Sequence, residues 1–281
     1  MPYHSLVTEA SDPGIWDDVV AGPWIRCSGI VDAHSEVFGA AAMERLAPLV
    51  DARVVDVGCG LGSTTRRLGE LVGPRGAVVG VDNSEPFVAE ARRRGGAPTV
   101  TYLCGDAAQV DLPPVDAVYS RFGVMFFPDP VAAFAHLRSL TSTGGRLAFT
   151  CWQEPSRNPW MLEPIVAAMP VLGPPQLPAP GSPGPFSLAD PEVIRSTLER
   201  AGWSGIDIDS VAVEQPYPAG GAEATAEVVV QLAPPLATAL RAAPEQRDAA
   251  VAAIADALRA RERDGAVHFE AAAWVVSAAR R

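Results

Sequence analysis

Three carboxylates, a serine and a run of glycines are spaced so that they could grip a small polar ligand along one edge of a sheet. The segment Val54-Val55-Asp56-Val57-Gly58-Cys59-Gly60-Leu61-Gly62-Ser63 sets an acidic side chain two residues ahead of three alternating glycines. A β-branched run that ends in glycine reads as a buried parallel strand, a tight turn and the start of a helix. Glycine in such a turn lets the backbone approach a ligand, because no Cβ stands in the way. The spacing limits which ligand. The dinucleotide fingerprint G-x-G-x-x-G needs a glycine three places after its second, and here that place is Ser63. A glycine turn alone also suits an ordinary strand–helix connection.

Its neighbours narrow the reading. The next strand, Ala77-Val78-Val79-Gly80-Val81-Asp82, ends in an acid 20 positions after Gly62. An acid at the tip of a second parallel strand can accept hydrogen bonds from ribose hydroxyls. Asp82 also suits a turn or helix cap, since Asn83-Ser84-Glu85-Pro86 opens a helix. A third strand, Thr99 to Cys104, leads into Gly105-Asp106-Ala107, and a fourth, Ala117 to Ser120, leads into Arg121-Phe122-Gly123. In a parallel sheet these four carboxyl ends share one edge, where open α/β folds bind ligands.

The stretches VVDVGCGLGSTT, VVGVDNS, CGDAAQ and AVYSRFGVMFF resemble the class I S-adenosylmethionine-dependent methyltransferases. Within them the chain is similar to the ubiquinone/menaquinone-biosynthesis branch, and SRFGVMFFPDPVAAFAHLRSLTSTGGRLAFTCWQ is close to small-molecule members. The resemblance spans roughly residues 20 to 279 and is specific over 54–152. It implies a Rossmann-like, doubly wound α/β fold: a seven-stranded, mostly parallel sheet with an antiparallel last strand, plus a helical lid. It implies S-adenosyl-L-methionine as cofactor. By matching position, Asp56, Gly58, Cys59 and Gly60 would hold its methionine and ribose portions, and Asp82 the ribose. Asp106 would reach the adenine amino group, with Ala107 beside the ring and Ser120 under the methionine portion. Asn83 and Gly105, at the same strand ends, complete this set. One departure from the family is Pro113-Pro114, which leaves little room for a helix between strands three and four.

Composition agrees. The chain has 281 residues, enough for one large α/β domain or a domain with a lid. Net charge is −11 and all 22 basic residues are arginine. An acidic chain lacks the basic face that phosphate backbones need, which argues against a nucleic-acid substrate. Arg92-Arg93-Arg94 reads as a solvated helix end. The four cysteines, at 27, 59, 104 and 151, form no C-x-x-C pair, so neither a disulfide framework nor a metal site is expected. No signal peptide and no run of 18 apolar residues is seen, so a cytoplasmic protein off the membrane is expected. A homodimer is the default assembly.

The chain divides into an N-terminal lid segment (1–50), a cofactor core (51–152), a Pro/Gly-rich lid insertion (153–189) and a C-terminal half (190–281) with a helical excursion at 222–262. A helix is expected over 35–49 and another over 130–141, with a fifth strand over 145–152. The proline and glycine density of 153–185 predicts no regular structure there. A helix over 190–201 precedes a sixth strand over 206–214. Two helices, 222–242 and 244–262, precede a last strand over 267–278.

A methyl donor of this kind carries its methyl on a sulfonium, so the protein has to bind, align and exclude water. Aromatic faces near a cation are favourable by roughly 0.5–2 kcal/mol. Trp24, Phe122, Phe126 and Phe127 are available, with Trp24 expected to cover the cofactor and Phe126 and Phe127 equally suited to plain packing. Phe126, Trp152 and Trp160, with Met161, Met169 and Leu172, suggest an apolar pocket, or else pack the insertion onto the sheet. Such a lining implies a small, largely hydrophobic methyl acceptor, such as a natural-product intermediate. His34 is the first candidate for a general base, ahead of Tyr3, His4 and Glu154, although a lone histidine also suits surface or core; His136 reads as structural. Two alternatives stand beside methyl transfer: a cofactor-binding enzyme for cyclisation or rearrangement, and a non-catalytic scaffold. The acceptor, and whether oxygen, nitrogen, sulfur or carbon is methylated, is not written in the sequence.

Overall fold

The β-branched runs become strands, and the helices between them cover both faces of one sheet. In the computed structural model of the protein, residues 18–175 and 182–281 are described. Two helices come first, α1 (Asp18–Arg26) and α2 (Ser28–Leu46). Then follow β1 (Arg53–Val57), α3 (Ser63–Val72), β2 (Ala77–Asp82), α4 (Glu85–Arg94), β3 (Val100–Cys104), β4 (Val115–Arg121), α5 (Pro130–Leu140) and β5 (Thr141–Trp152). The C-terminal half holds α6 (Pro159–Leu172), α7 (Pro191–Arg200), β6 (Ser204–Pro216), α8 (Ala222–Leu232), α9 (Pro234–Ala242), α10 (Arg247–Leu258), β7 (Glu262–Arg263) and β8 (Ala266–Ala279).

The strand order is β3-β2-β1-β4-β5-β8-β6, with the two-residue β7 paired to the start of β8. The first five strands pair in parallel. β8 is antiparallel to both β5 and β6, as expected for the last strand. The order reverses between β1 and β4, and that reversal opens a crevice at the strands' carboxyl ends. Alternation along each strand serves two faces. Val54, Tyr119, Ala148 and Val275 pack under α2 and α3, while Val55, Val118, Leu147 and Val276 pack with Phe134 and Leu137 of α5 and Leu198 of α7.

The β6–β8 hairpin outruns the rest of the sheet. β5 stops pairing at Trp152↔Ala273, whereas β6 continues along β8 to Pro216↔His268. On this overhang sits a second hydrophobic core. Val229, Val230, Leu236, Ile254 and Leu258 of α8–α10 pack there with Ala168 of α6, Tyr217 and Phe269. This helical layer stands beside the carboxyl ends of β4 and β5.

Several elements differ from the sequence reading. α2 starts at Ser28 rather than 35, and β5 at Thr141 rather than 145. The expected helix 222–242 is two, interrupted at Ala233 ahead of Pro234-Pro235, because the residue before proline resists helical backbone. α6 contradicts the expectation that 153–185 holds no regular structure. Its Pro159 occupies the first turn, where no donor is lost, but Pro164 and Pro170 lie inside the helix. Burial outweighs their cost: Ala168 is buried and Ile165, Ala167 and Leu172 pack into the second core. Between β3 and β4 only turns occur, in keeping with Pro113-Pro114.

Candidate functional site

β1 delivers Asp56 to the α3 side of the sheet, fully buried. Its Oδ2 accepts from the hydroxyls of Thr64 and Thr65, each at 2.7 Å, in the first turn of α3. Its Oδ1 is buried and has no hydrogen-bond partner. Burial raises the Asp56 pKa from 3.8 to about 6, against the lowering effect of the two threonines. Beyond it the chain turns on left-handed glycines. At Gly58 (φ +67°) a Cβ would stand 2.8 Å from the Cα of Gly123, so the turn rests directly on the backbone after β4. At Gly60 (φ +52°) a Cβ would meet nothing within 4 Å, so this side of the turn faces open space. Cys59 between them is buried, which pushes its thiol well above the usual range and keeps it unreactive.

The other strand ends gather around this turn. Asp82 accepts from Gly60 N (2.8 Å) and Ser84 N (2.9 Å), one on each oxygen, and burial raises its pKa. It therefore clamps the glycine turn as well as opening α4, and each oxygen keeps a lone pair for a further donor. Gly105 N donates to Asp82 O at 2.9 Å, which ties the end of β3 to the end of β2. Asp106 caps its own turn through Ala108 N and Gln109 Nε2, both at 2.8 Å; Ala107 is buried in the core and Asn83 is exposed. Ser120, fully buried, donates to Val57 O (2.8 Å) and accepts from Gly123 N (3.2 Å). It staples the tips of β1 and β4 across the crevice.

Aromatic rings continue the site toward the helical layer. Phe122, just past β4, has φ +62°. Left-handed backbone costs a non-glycine residue about 1–2 kcal/mol. In that conformation its ring lies on Trp152 at 3.8 Å and 10°, a stack worth about 0.5–1.5 kcal/mol. Phe38 of α2 meets both rings edge-on. Trp160 approaches Trp152 at 5.2 Å, held by a bond from its Nε1 to Asn158 Oδ1. Asn158, fully buried, is itself fixed to Ala272 on β8 through both its amide atoms. Phe126 lies in the turn after β4, packed on the main core.

His34 of α2 reaches this aromatic group, 4.4 Å from Trp160, 5.4 Å from Tyr217 and 6.3 Å from Trp152, ring centre to ring centre. Burial lowers its pKa to about 4, so the ring is neutral near physiological pH. His136 contacts Val110 O at 2.8 Å, a structural bond. Trp24 in α1 turns its indole N–H to Leu232 O (3.1 Å), which docks α1 onto the end of α8. Tyr3 and His4 lie outside the described residues, and Glu154 is exposed.

Other residues that contact the candidate site were not singled out from the sequence. Asp32 of α2 accepts on one oxygen from Arg121 Nη2 (2.5 Å) and Ser63 Oγ (2.6 Å), latching α2 onto the β4 tip and the start of α3. Gln215, at the far end of β6, contacts His34. Thr64 and Thr65 could have been foreseen, since hydroxyls in the first helical turn after a strand-end acid fall within its reach. Asp32, Gln215 and Tyr217 come from distant segments with no local pattern to mark them.

Residues 54–145, which run from β1 into β5 and build this edge, match a family described as a methyltransferase domain. The strand order around the matched stretch is that of a Rossmann-like, mostly parallel sheet with its last strand antiparallel. Nocamycin O-methyltransferase of Saccharothrix syringae is 38% identical over 151 residues, which cover 50% of this chain and 54% of that protein. Aklanonic acid methyltransferase DauC of Streptomyces sp. (strain C5) is 34% identical over 108 residues, 37% of this chain and 49% of that protein. The chain thus spans about half the length of these curated relatives. The YcgJ protein of Bacillus subtilis has the same fold at 13% identity, with a TM-score of 0.56 over 88% of this chain and 98% of that one.

Proposed function

We propose that this protein transfers a methyl group from S-adenosyl-L-methionine to a small, largely hydrophobic acceptor of the natural-product kind. The observation that carries the reading is Asp56 Oδ1, a buried carboxylate oxygen with no partner beside a glycine turn open at Gly60. The matched methyltransferase stretch begins at this same strand. The names of two relatives, which act on aklanonic acid and in nocamycin chemistry, support an acceptor of that class.

The residues present fit the cofactor. Asp56 offers an anion to an ammonium group, and the turn at Gly58–Gly60 admits a ligand against its backbone. Asp82 and Asp106 supply acceptors for hydroxyl and amino groups, with Asn83, Gly105, Ala107 and Ser120 at the same edge. Cys59, buried, shapes the turn without reacting. When bound, the cofactor supplies an electrophilic methyl on a sulfonium. The protein's part is then to orient and to exclude water, and Phe122, Trp152, Trp160 and Phe126 form the apolar side that does so. On this reading the described residues of the N-terminal segment 1–50 and of the insertion 153–189, with the helices of 222–262, form the lid over a 51–152 core. The acidic surface favours a small-molecule substrate over nucleic acid and suits a cytoplasmic enzyme, with a homodimer as the working assembly.

Titration calorimetry with S-adenosylmethionine and its demethylated product tests the reading. Binding in the micromolar range, on the order of ordinary enzyme substrates, is expected for the wild type, and its loss in Asp82→Ala and Gly60→Val with the fold retained. No heat with either ligand sinks the reading. Near-normal binding by both variants removes the site assignment.

A further inference from the structure

Gln215 Nε2 lies 2.9 Å from the carbonyl oxygen of His34 and 3.1 Å from its Nδ1. A carbonyl oxygen only accepts, so the shorter contact fixes the amide nitrogen, rather than its oxygen, on this side of Gln215. That nitrogen carries two hydrogens, one for each contact. Nδ1 therefore presents a lone pair, and a neutral imidazole must keep its single hydrogen on Nε2. His34 is only 5% exposed, and its Nε2 is buried without a hydrogen-bond partner. A buried N–H with no acceptor is costly, and a ligand oxygen would relieve that cost.

The surroundings define what could supply such an oxygen. The His34 ring is bordered by Trp160, Tyr217 and Trp152. Trp152 stacks on Phe122, next to the Gly123 backbone that supports the glycine turn. Through Phe122 the aromatic group thus adjoins the backbone that borders the crevice between β1 and β4. Flat rings favour a flat ligand.

We propose that His34 donates its Nε2 hydrogen to an oxygen of the methyl acceptor, a planar conjugated molecule bearing a carbonyl, enolate or carboxylate. The proposal rests on the methyl-transfer reading of the adjoining crevice. His34 is then a positioning residue. The nitrogen left without a partner already holds a proton and accepts none there. Gln215 sets this tautomer from the end of β6. A molecule of the same shape without the oxygen leaves the N–H unpaired and is discriminated against.

The first test is a long-range proton–nitrogen spectrum of full-length protein with labelled histidine, near neutral pH. The Nε2–H tautomer is expected for His34, and a mixture of tautomers in Gln215→Leu. An Nδ1–H tautomer or an imidazolium overturns the proposal. The second uses protein saturated with S-adenosylhomocysteine and two probes of matched shape, 2-naphthoate and naphthalene. Naphthoate should move the His34 Nε2 resonance and bind roughly tenfold more weakly to His34→Phe, the scale of one lost hydrogen bond. His34→Gln, which keeps an N–H donor, should recover most of that loss, and naphthalene should bind all three proteins alike. No movement of the resonance, or equal naphthoate binding by wild type and His34→Phe, overturns the proposal. Absence of S-adenosylhomocysteine binding to the wild type instead rejects the methyl-transfer reading. Its presence with a failed probe experiment rejects the role of His34 alone.

Discussion

At the level of single residues, Asp56 sets folding stability against the proposed cofactor binding. Its folded pKa of about 6 lies above the ordinary 3.8. The folded chain therefore keeps a proton that the unfolded chain has lost, and stability falls as pH rises through that window. Asp56→Asn keeps an acceptor for Thr64 and Thr65 and removes the charge. It should melt higher than the wild type above pH 6, by the equivalent of about 1–3 kcal/mol, with the difference closing toward pH 4. Cofactor affinity should move the other way. It should rise with pH up to about 6 in the wild type as Asp56 ionises, and stay weak and flat in Asp56→Asn. Thermal melts and calorimetry across pH check both signs. The two glycines separate in the same manner. Gly58→Ala forces a Cβ to 2.8 Å from Gly123 Cα and should cost about 2–4 kcal/mol of stability. Gly60→Ala meets open space and should cost only about 1 kcal/mol in the melt, while weakening cofactor binding.

Among the elements, α6 has the least local reason to exist. Its sequence carries Pro159, Pro164 and Pro170, and it persists because its apolar face is buried and its first turn is bolted to β8. The bolt is Asn158, which bonds Ala272 N and O and orients Trp160. Asn158→Ala removes the side-chain acceptor of Ala272 N, while Ala272 O keeps Gln153 N, and should cost about 1–3 kcal/mol. Amide exchange should quicken in α6 and at Ala272, while the β1–β4 ladder keeps its protection. Uniform loosening of the whole sheet would contradict this. α2 has a comparable anchor in Asp32, whose bonds to Arg121 and Ser63 hold the helix that carries His34 against the glycine turn.

At the scale of the whole molecule, two hydrophobic cores divide the work. One lies within the sheet and its covering helices, the other under α6 and α8–α10 on the β6–β8 overhang. The crevice with the glycine turn belongs to the first, and the aromatic enclosure lies where the two meet. Ile254→Ala, at a fully buried position of α10, should therefore destabilise the helical layer by about 2–5 kcal/mol. Exchange should rise through α6, α8 and α10, with S-adenosylhomocysteine still bound to the sheet edge. Loss of cofactor binding in a folded Ile254→Ala protein would show that the layers do not act separately.

The sequence determined the parts of this protein that short-range physics governs. β-Branched runs ending in glycine or acid placed β1–β4 and their carboxyl ends, and through them Asp56, Asp82, Asp106 and Ser120, because the strand period and turn chemistry are local. Pro113-Pro114 foretold the missing helix between β3 and β4 for the same reason. Only the tertiary structure decided the rest. α6 depends on burial that overrides its prolines. The partner of His34 stands 181 positions away in the chain. A histidine's hydrogen is placed by whatever faces its other nitrogen, and no spacing in the sequence records that Gln215 does.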